Sequence, residues 1–499
     1  MGSHFLPLFV AMPLLGAFLT PLLSKLNQEL ADIVGSIIGA LLVSVSFYGL
    51  FAQLGSSAPL VYWAGNWRFL GIAMVYDALT ALVVLVTNVV GFCALLYSVR
   101  YINHYTARWK FYTLFLLMLA GLNGLAISGD LFNMFVFIEI AAVASYALVA
   151  FGTEAEELEA GFKYMVLGEV GGMAILFSIA LIYSQTSTLN LAQVSRYLPA
   201  GTPFFWFVVA TLLIGFAVKM AMVPFHAWLP DAHPSAPAPV SAMLSGVFIK
   251  VVGVYAMARL VFNVFGLSRA SAPAFFNLLI GFGVLSMVAG GLLAYSQSDY
   301  KRLLAYSSIS QMGYIIIGLG IGNGWALAGA LFHLLAHAMG KGLLFLVSGS
   351  VEAQTGTRNL DRLKGLERTM PLTAWSHLFG SLSLAGVPPF VGFFSKLFII
   401  VGALQARMYW LAVLAAVFSA VTLAYLTKVV NRAFFSRDNG APVLAKEAGG
   451  TMAIAVVMLV ILTVLSGVLF VPVLDGIVRP AADVLLRGVG YAGGVLGVF

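Results

Sequence analysis

The sequence predicts an all-α membrane protein of about fourteen transmembrane helices, and three observations carry that expectation. Of 499 residues, 61 % are hydrophobic and only 9 % are charged, where a soluble domain carries about 25 %. Apolar stretches of about 20 residues, each able to cross roughly 30 Å of hydrocarbon, recur from end to end. The mean hydropathy of the whole chain is +1.00, so no long segment is left with the composition of a soluble domain. The same figures exclude several function classes. The net charge of +7 is spread over many short loops without an aromatic-basic platform, which argues against nucleic acid as a partner. The one cysteine, Cys93, allows neither an intrachain disulfide nor a thiolate-held cluster. No stretch has the form of a nucleotide or flavin site. No cofactor is expected, and redox power would have to come from partner subunits.

Taken in order, the apolar runs place spans 1 to 14 at residues 5–24, 31–54, 74–98, 112–129, 131–151, 161–184, 204–223, 239–262, 274–294, 303–321, 325–350, 372–404, 409–430 and 452–474. The first has no basic segment before it and no small-residue cleavage site, so it is read as a retained helix. Span 12 contains Pro388-Pro389 and span 7 runs into Pro224. Proline removes a backbone donor and breaks a helix, so both spans are expected to be discontinuous. Loop charges orient the chain. Loops after odd-numbered spans hold fifteen lysines and arginines, among them Lys25, Lys301 and Arg437, and the opposite loops hold seven, among them Arg68, Arg259 and Arg487. The excess puts the 3–4, 9–10, 11–12 and 13–14 loops in the cytoplasm and both termini outside.

The remaining four of the 26 cationic residues, Lys219, Lys250, Lys341 and Lys396, fall inside spans 7, 8, 11 and 12. A lysine at the bilayer centre costs about 2.5–3.5 kcal/mol on insertion scales and is a functional-site candidate by default. The competing reading, snorkelling from near a helix end, weakens with each further span that carries one. Glu139 lies about two turns into span 5. An unpaired carboxylate there takes up a proton, whereas a partner such as Lys219 keeps both groups charged. Separating such a pair changes how each holds its proton, which is the coupling a relay needs. Glu169 in span 6 is a second acidic candidate, or a plain helix pair with Lys163. Asp77 and Asp130 stand where helix N-caps are expected.

Span 11 carries His333, His337 and Lys341 at i, i+4 and i+8, which places them on one face. Histidine titrates near neutrality and can pass protons. A zinc pair is the rival reading of His-x-x-x-His. The intervening residues are Leu334, Leu335 and Ala336 with no glutamate after the first histidine, so no metal is expected. A polar packing face without transport is the other alternative. Residues 224–239 contain five prolines in sixteen positions and read as a rigid re-entrant loop, with residues 297–302 as a cytoplasmic counterpart. Ser308 to Tyr314 and the glycines of span 11 suit close helix packing. Glu154, Glu156, Glu157 and Glu159 read as a solvated loop, with a docking patch or ion funnel as alternatives.

The two broken spans, 7 and 12, stand five places apart in the order. Spans 4–8 and 9–13 therefore pair as two five-helix repeats, and an odd number of helices per repeat inverts the second. Broken helices at corresponding positions are the sequence pointer to a mid-membrane ion site. The repeats are unequal, because span 10 has no carboxylate where span 5 has Glu139. The division is residues 1–110 for spans 1–3, 111–263 for the first repeat, 264–436 for the second, and 437–499 for span 14 and a tail.

At these residues the chain resembles a known family. The run from Gly129 to Glu139, Gly-Asp-Leu-Phe-Asn-Met-Phe-Val-Phe-Ile-Glu, is similar to span 5 of the antiporter-like subunits shared by respiratory complex I, Mrp-type cation/proton antiporters and group 4 membrane-bound hydrogenases. The similarity covers roughly spans 3 to 13. Glu139 matches that family's functional glutamate. Lys219 and Lys250 match its lysines in spans 7 and 8, His333 or His337 its span 11 histidine, and Lys396 its span 12 residue. The stretch Trp228 to Gly246 looks most like the hydrogenase-linked members, and Gly121 to Asp130 like the D-type member of Mrp antiporters. No long lateral helix is expected at the C-terminus. The resemblance implies a subunit of the inner cell membrane that moves H⁺, Na⁺ or both, with other membrane subunits of such an assembly as partners. The whole would be an oxidoreductase or a cation/proton antiporter. Combined with the residues, it implies a path entering near span 8, passing Lys250, His333, His337 and Lys341 and leaving near Lys396, gated by Glu139–Lys219. The alternatives are a stand-alone transporter of a small solute, a membrane-embedded zinc hydrolase, and a scaffold subunit that has lost transport.

Overall fold

The computed structural model describes residues 3–56, 58–67, 71–105, 107–436 and 445–497. Arg68 and Arg437, both counted in the loop charges, lie outside the described residues, as do the first residues of the 437–499 segment. In hydrocarbon every backbone N–H and C=O must be satisfied within the chain, which favours helices. Among the described residues, eleven helices are long and apolar enough to cross a membrane, and three shorter apolar ones are Leu8–Leu23, Pro203–Lys219 and Val391–Gln405. The molecule is a mostly helical, multi-pass membrane protein.

Spans 1, 2, 4 and 5 appear as Leu8–Leu23, Glu29–Gln53, Arg108–Ile127 and Leu131–Val149. Span 3 is corrected at its start. Residues 74–76 belong to a two-stranded antiparallel ribbon, Leu60–Trp63 against Ala73–Tyr76, with Leu60 opposite Tyr76. Its valines and aromatics fit a half-buried pleated surface. Helix Ala78–Tyr101 follows, and the Asp77 carboxylate accepts the Thr80 N–H at 2.9 Å. Asp130 caps span 5 in the same way through Asn133, so both capping expectations hold. Span 6 is longer than expected, Ala155–Thr186. The acidic run read as a loop is its first turn, closed by a Glu154–Glu157 capping box, and carboxylates there meet the positive end of the helix dipole. A short helix, Leu191–Tyr197, was not expected.

Span 7 is broken. Helix Pro203–Lys219 stops, the chain turns, and helix Leu229–Ser235 resumes. The proline-rich stretch is thus the second half of span 7 and not a re-entrant loop. The Trp228 ring N–H donates to the Val218 carbonyl at 3.0 Å, satisfying one of the groups that the break leaves open. Asp231 then bonds Lys163 and Arg302, which places this end beside the start of span 10. Span 8, Ala238–Val264, is π-wound over Leu244–Tyr255 and Arg259–Val264. Arg259, counted above as a loop residue, lies inside this helix and is only 2 % exposed. Burial is tolerable because Asp77 binds its guanidinium in a fork, at 2.7 and 2.8 Å, the geometry that best compensates a desolvated charge.

Spans 9, 10 and 11 are Pro273–Ser296, Tyr300–Ile321 and Gly324–Thr355. Span 12 is broken into Pro371–Ala385 and Val391–Gln405, and span 13 is Tyr409–Phe434. Span 14 is shorter than expected, Thr451–Val468. The chain then continues helically through Phe470–Val473, Leu474–Val478 and Arg479–Leu486 to Tyr491–Leu496. The expected tail is therefore a packed element, held where the Asn263 amide donates to the Val484 carbonyl at 2.7 Å.

One hydrogen-bond device occurs twice at a fixed offset. Asp130 bridges to Asn190 and Asp299 to Asn359, so each member of the second pair stands 169 residues after its counterpart. Leu131 and Leu191 bond the carbonyls of Leu189 and Gly129, as Tyr300 and Leu360 bond those of Arg358 and Ser298. The helices between, Ala155–Thr186 and Gly324–Thr355, both have 32 residues.

Candidate functional site

The break in span 7 exposes the end of its first half to the interior of the bundle, and Lys219 is the last residue of that half. Its ammonium donates to Glu139 Oε1 at 3.1 Å and to the Tyr146 hydroxyl at 3.3 Å. Lys219 is 2 % exposed and the Glu139 side chain 20 %, so the pair lies buried on one side and reachable on the other. Gly172 in span 6 makes room for it. A Cβ there would stand 2.6 Å from Glu139 Oε1 and 3.4 Å from Lys219 Nζ. Glu169 sits beside Glu139 and Tyr146. The alternative pairing of Glu169 with Lys163 is corrected, because Lys163 pairs with Glu159 and Asp231 instead.

The other candidates gather around one face of span 10. Lys250 bonds the Ser245 carbonyl within its own helix, and the Ser245 and Ser308 hydroxyls meet at 2.6 Å. Lys341 donates to the Leu304 carbonyl at 2.8 Å and to Ser307. One turn on, the Gln311 amide N–H₂ donates to Thr422 and Tyr425, while its oxygen faces His333 Nε2 at 3.1 Å. His333 Nδ1 meets Ser395 at 2.9 Å. The His337 ring lies 6.1 Å from that of His333, and neither of its buried nitrogens has a hydrogen-bond partner among the described residues. Lys396 donates to the Ala385 carbonyl at 3.3 Å, across the break in span 12, and stands 4.7 Å from the centre of the Tyr314 ring. Among the described residues, only Lys219 of the four lysines has a carboxylate partner.

The structure thus brings Lys250, His333, His337, Lys341 and Lys396 into one polar seam and sets Glu139–Lys219 apart as an ion pair. Of the linking residues of span 10, Ser308, Gln311 and Tyr314 fall in the stretch read as packing, and Ser307 was given no role. Their recurrence at helical spacing was the available signal. Glycine packing is present as well, since a Cβ at Gly313 would stand 2.5 Å from the Gly283 carbonyl. Sequence reasoning also gave no role to His377, which meets the Tyr300 hydroxyl at 2.6 Å, nor to His233, stacked on Phe345. It missed two further ion pairs, Lys301–Glu352 at 2.7 Å and Arg259–Asp77. Among the described residues no cluster of three or more His, Cys, Asp or Glu side chains is suited to a metal ion.

Chemically, the seam is a row of buried lysine, histidine, hydroxyl and amide groups, each able to donate or accept a hydrogen bond, with one ion pair at its side. Residues 128–422 match the family described as NADH:quinone oxidoreductase/Mrp antiporter, TM, and residues 69–112 match the N-terminal region of chain 5 of NADH-ubiquinone oxidoreductase (complex I). The chain is 35 % identical over 441 residues to the N subunit of the NADH-quinone oxidoreductase of Desulforudis audaxviator, covering 87 % of each. It is 32 % identical over 485 residues to the D subunit of the Na(+)/H(+) antiporter of Alkalihalophilus pseudofirmus, covering 96 % of each. Its fold superposes on a chain of the membrane-bound sulfane sulfur reductase (MBS), an archaeal respiratory membrane complex, with a TM-score of 0.91 and 32 % identity, covering 99 % of this chain and 100 % of that one.

Proposed function

We propose that this chain, which belongs to the NADH:quinone oxidoreductase/Mrp antiporter transmembrane family, is an ion-translocating subunit of a multisubunit complex in the cell membrane. It moves H⁺, Na⁺ or both along its buried Lys/His/Glu axis. The observation that carries this reading is the Glu139–Lys219 pair at the break of span 7. Buried ionisable groups in membrane spans mark ion pathways, and discontinuous helices are where such sites form.

The finer architecture belongs to the same proposal. Fourteen spans follow if the three shorter apolar helices are counted with the eleven long ones, each broken span being one crossing. Two inverted units, spans 4–8 in residues 111–263 and spans 9–13 in 264–436, are supported by the hydrogen-bond device repeated 169 residues apart. The charge excess in the loops after odd-numbered spans supports both termini on the outer side.

In this reading protons enter near span 8, pass Lys250, His333, His337 and Lys341, and leave near Lys396. The Glu139–Lys219 pair is the gate. Closed, each charge satisfies the other; parted, Lys219 loses its counter-charge and hands its proton on. Moving one charge against the membrane potential costs about 2.3 kcal/mol per 100 mV. The drive comes from partner subunits or from a second ion gradient, in keeping with relatives named as quinone oxidoreductase and antiporter subunits. Replacing Lys219 by alanine tests the gate. Ion translocation by the complex, followed with a pH-sensitive dye in membrane vesicles, should disappear while the complex still assembles. Normal pumping by an assembled Lys219→Ala complex would rule the gate out.

A further inference from the structure

Span 8 is wound as a π-helix on both sides of a short α-helical stretch, Ala256–Ala258. A π-turn closes from residue i to i+5, so side chains five apart lie nearly over one another. An α-turn would scatter them around the helix. The winding therefore lines up Ser245, Lys250 and Tyr255, and Arg259 and Asn263 continue the stripe at intervals of four. All five are buried. Single π-bulges are common at functional sites, and two long π stretches in one span need a reason. A polar stripe running from the seam to one end of the helix supplies it.

The stripe ends in a hydrogen-bonded chain. The Tyr255 hydroxyl donates to the Ala126 carbonyl at 2.5 Å and meets Thr80 Oγ1 at 3.2 Å. Arg259 Nη2 donates to the same oxygen at 3.2 Å and to Asp77 at 2.8 Å. The guanidinium also lies over the rings of Tyr255 and Tyr491, at 5.5 and 5.0 Å. Asp77 and Tyr491 line a cavity of about 400 Å³ bounded by Pro59, Val484 and Arg487. This is the end of span 8 away from its start at Ala238, beside which Asp231 bonds Arg302.

We propose that the Asp77–Arg259 pair is a second gate, through which Lys250 exchanges protons with the side of the membrane opposite the Asp231–Arg302 cluster. The inference rests on the ion-translocation reading above. With the pair closed, the guanidinium charge bars cations from the stripe. When Arg259 shifts toward Tyr491, Lys250 swings from the Ser245 carbonyl to Tyr255, Tyr255 turns its O–H from the Ala126 carbonyl to Thr80, and the Asp77 carboxylate takes the proton from Thr80 and releases it to the cavity. The proton lost by the lysine is the proton delivered, and no bond to carbon changes.

Two variants separate a gate from a static clamp. Both are measured in the complete complex, in membrane vesicles, with assembly quantified for each. Arg259→Gln removes the barrier and should raise passive proton flux down an imposed pH gradient by roughly tenfold with no driving reaction present. Asp77→Asn leaves the barrier and removes the acceptor, and should lower driven translocation per assembled complex by a similar factor. A clamp would make the two variants alike. Wild-type behaviour of both, in a system where Lys219→Ala abolishes translocation, overturns the second gate and leaves the first reading standing. Normal translocation by Lys219→Ala overturns the first. Should either variant fail to assemble, Tyr255→Phe decides the matter: slower driven translocation upholds the gate, and an unchanged rate removes it.

Discussion

Position for position, the two proposed units put different chemistry into the same frame. With the 169-residue offset of the Asp130–Asn190 and Asp299–Asn359 bridges, Glu139 corresponds to Ser308, Gly172 to Lys341, and Tyr164 to His333. In the first unit span 5 brings a carboxylate, span 6 withdraws to a glycine, and the lysine that fills the space comes from broken span 7. In the second unit span 10 brings hydroxyls, span 11 itself brings the lysine, and Lys341 bonds Ser307 and a carbonyl. At these three positions the first unit therefore holds a charged pair and the second holds Lys341 among neutral dipoles. A charged pair is stable until it is pulled apart, which suits a gate. A buried ammonium held only by neutral dipoles has no counter-charge to part from, which suits a relay. The proposed division of labour lies in these three substituted positions.

The comparison can be broken or sharpened at several points. The largest effect is expected from Glu139→Gln, which leaves Lys219 a buried unpaired charge, a situation costing about 3–5 kcal/mol. Driven translocation per assembled complex should fall by two orders of magnitude or more, as about 1.4 kcal/mol corresponds to tenfold. Its counterpart Ser308→Ala removes two neutral hydrogen bonds, to Ser245 and to the Leu304 carbonyl, about 1 kcal/mol each, leaves no unpaired charge, and should slow translocation far less. Equal losses in the two variants would end the argument from asymmetry. Next comes Gly172→Ala, which drives a methyl against the Glu139 carboxylate and strains the pair by about 1–3 kcal/mol; translocation should drop while the amount of assembled complex stays near normal. The smallest effect belongs to the caps. Asp130→Ala should destabilise the purified complex by about 1 kcal/mol, seen as a small shift in thermal unfolding, and Asp299→Ala, which also loses the Arg358 ion pair, should shift it slightly further. A larger shift for Asp130→Ala would mean that its cap has no equivalent in Asp299.

Much of this was readable from residue order because the solvent is hydrocarbon. A run such as residues 131–151 has one viable structure in that medium, and Pro224 and Pro388 break helices wherever they fall. The caps at Asp77 and Asp130 were equally local. Errors arose where a second segment decides. Residues 74–76 are apolar enough for a helix, but they pair with Leu60–Tyr62 across a ribbon. The acidic run at Glu154 was a local error of another kind, a helix start closed by Glu157 three residues on. Arg259 looked like a loop charge until Asp77, 182 residues away in sequence, came within 2.7 Å. Ser308, Gln311 and Tyr314 carried too little polarity on their own to stand out from packing.

The sequence by itself determined that the chain is helical and membrane-embedded, which spans are broken, and that Lys219, Lys250, His333, His337, Lys341 and Lys396 are buried. Each of these follows from the cost of exposing charge or backbone to hydrocarbon, a property of single residues and their near neighbours. Tertiary structure alone decided which lysine has a counter-charge and which have only dipoles. It also decided that Tyr314 and Gln311 belong to the seam, and that Arg259 closes one end of span 8. An ion pair's energy depends on the separation and surroundings of two groups, and Glu139 meets Lys219 across 80 residues of chain only because the glycine-lined face of span 6 lets spans 5 and 7 converge beside it.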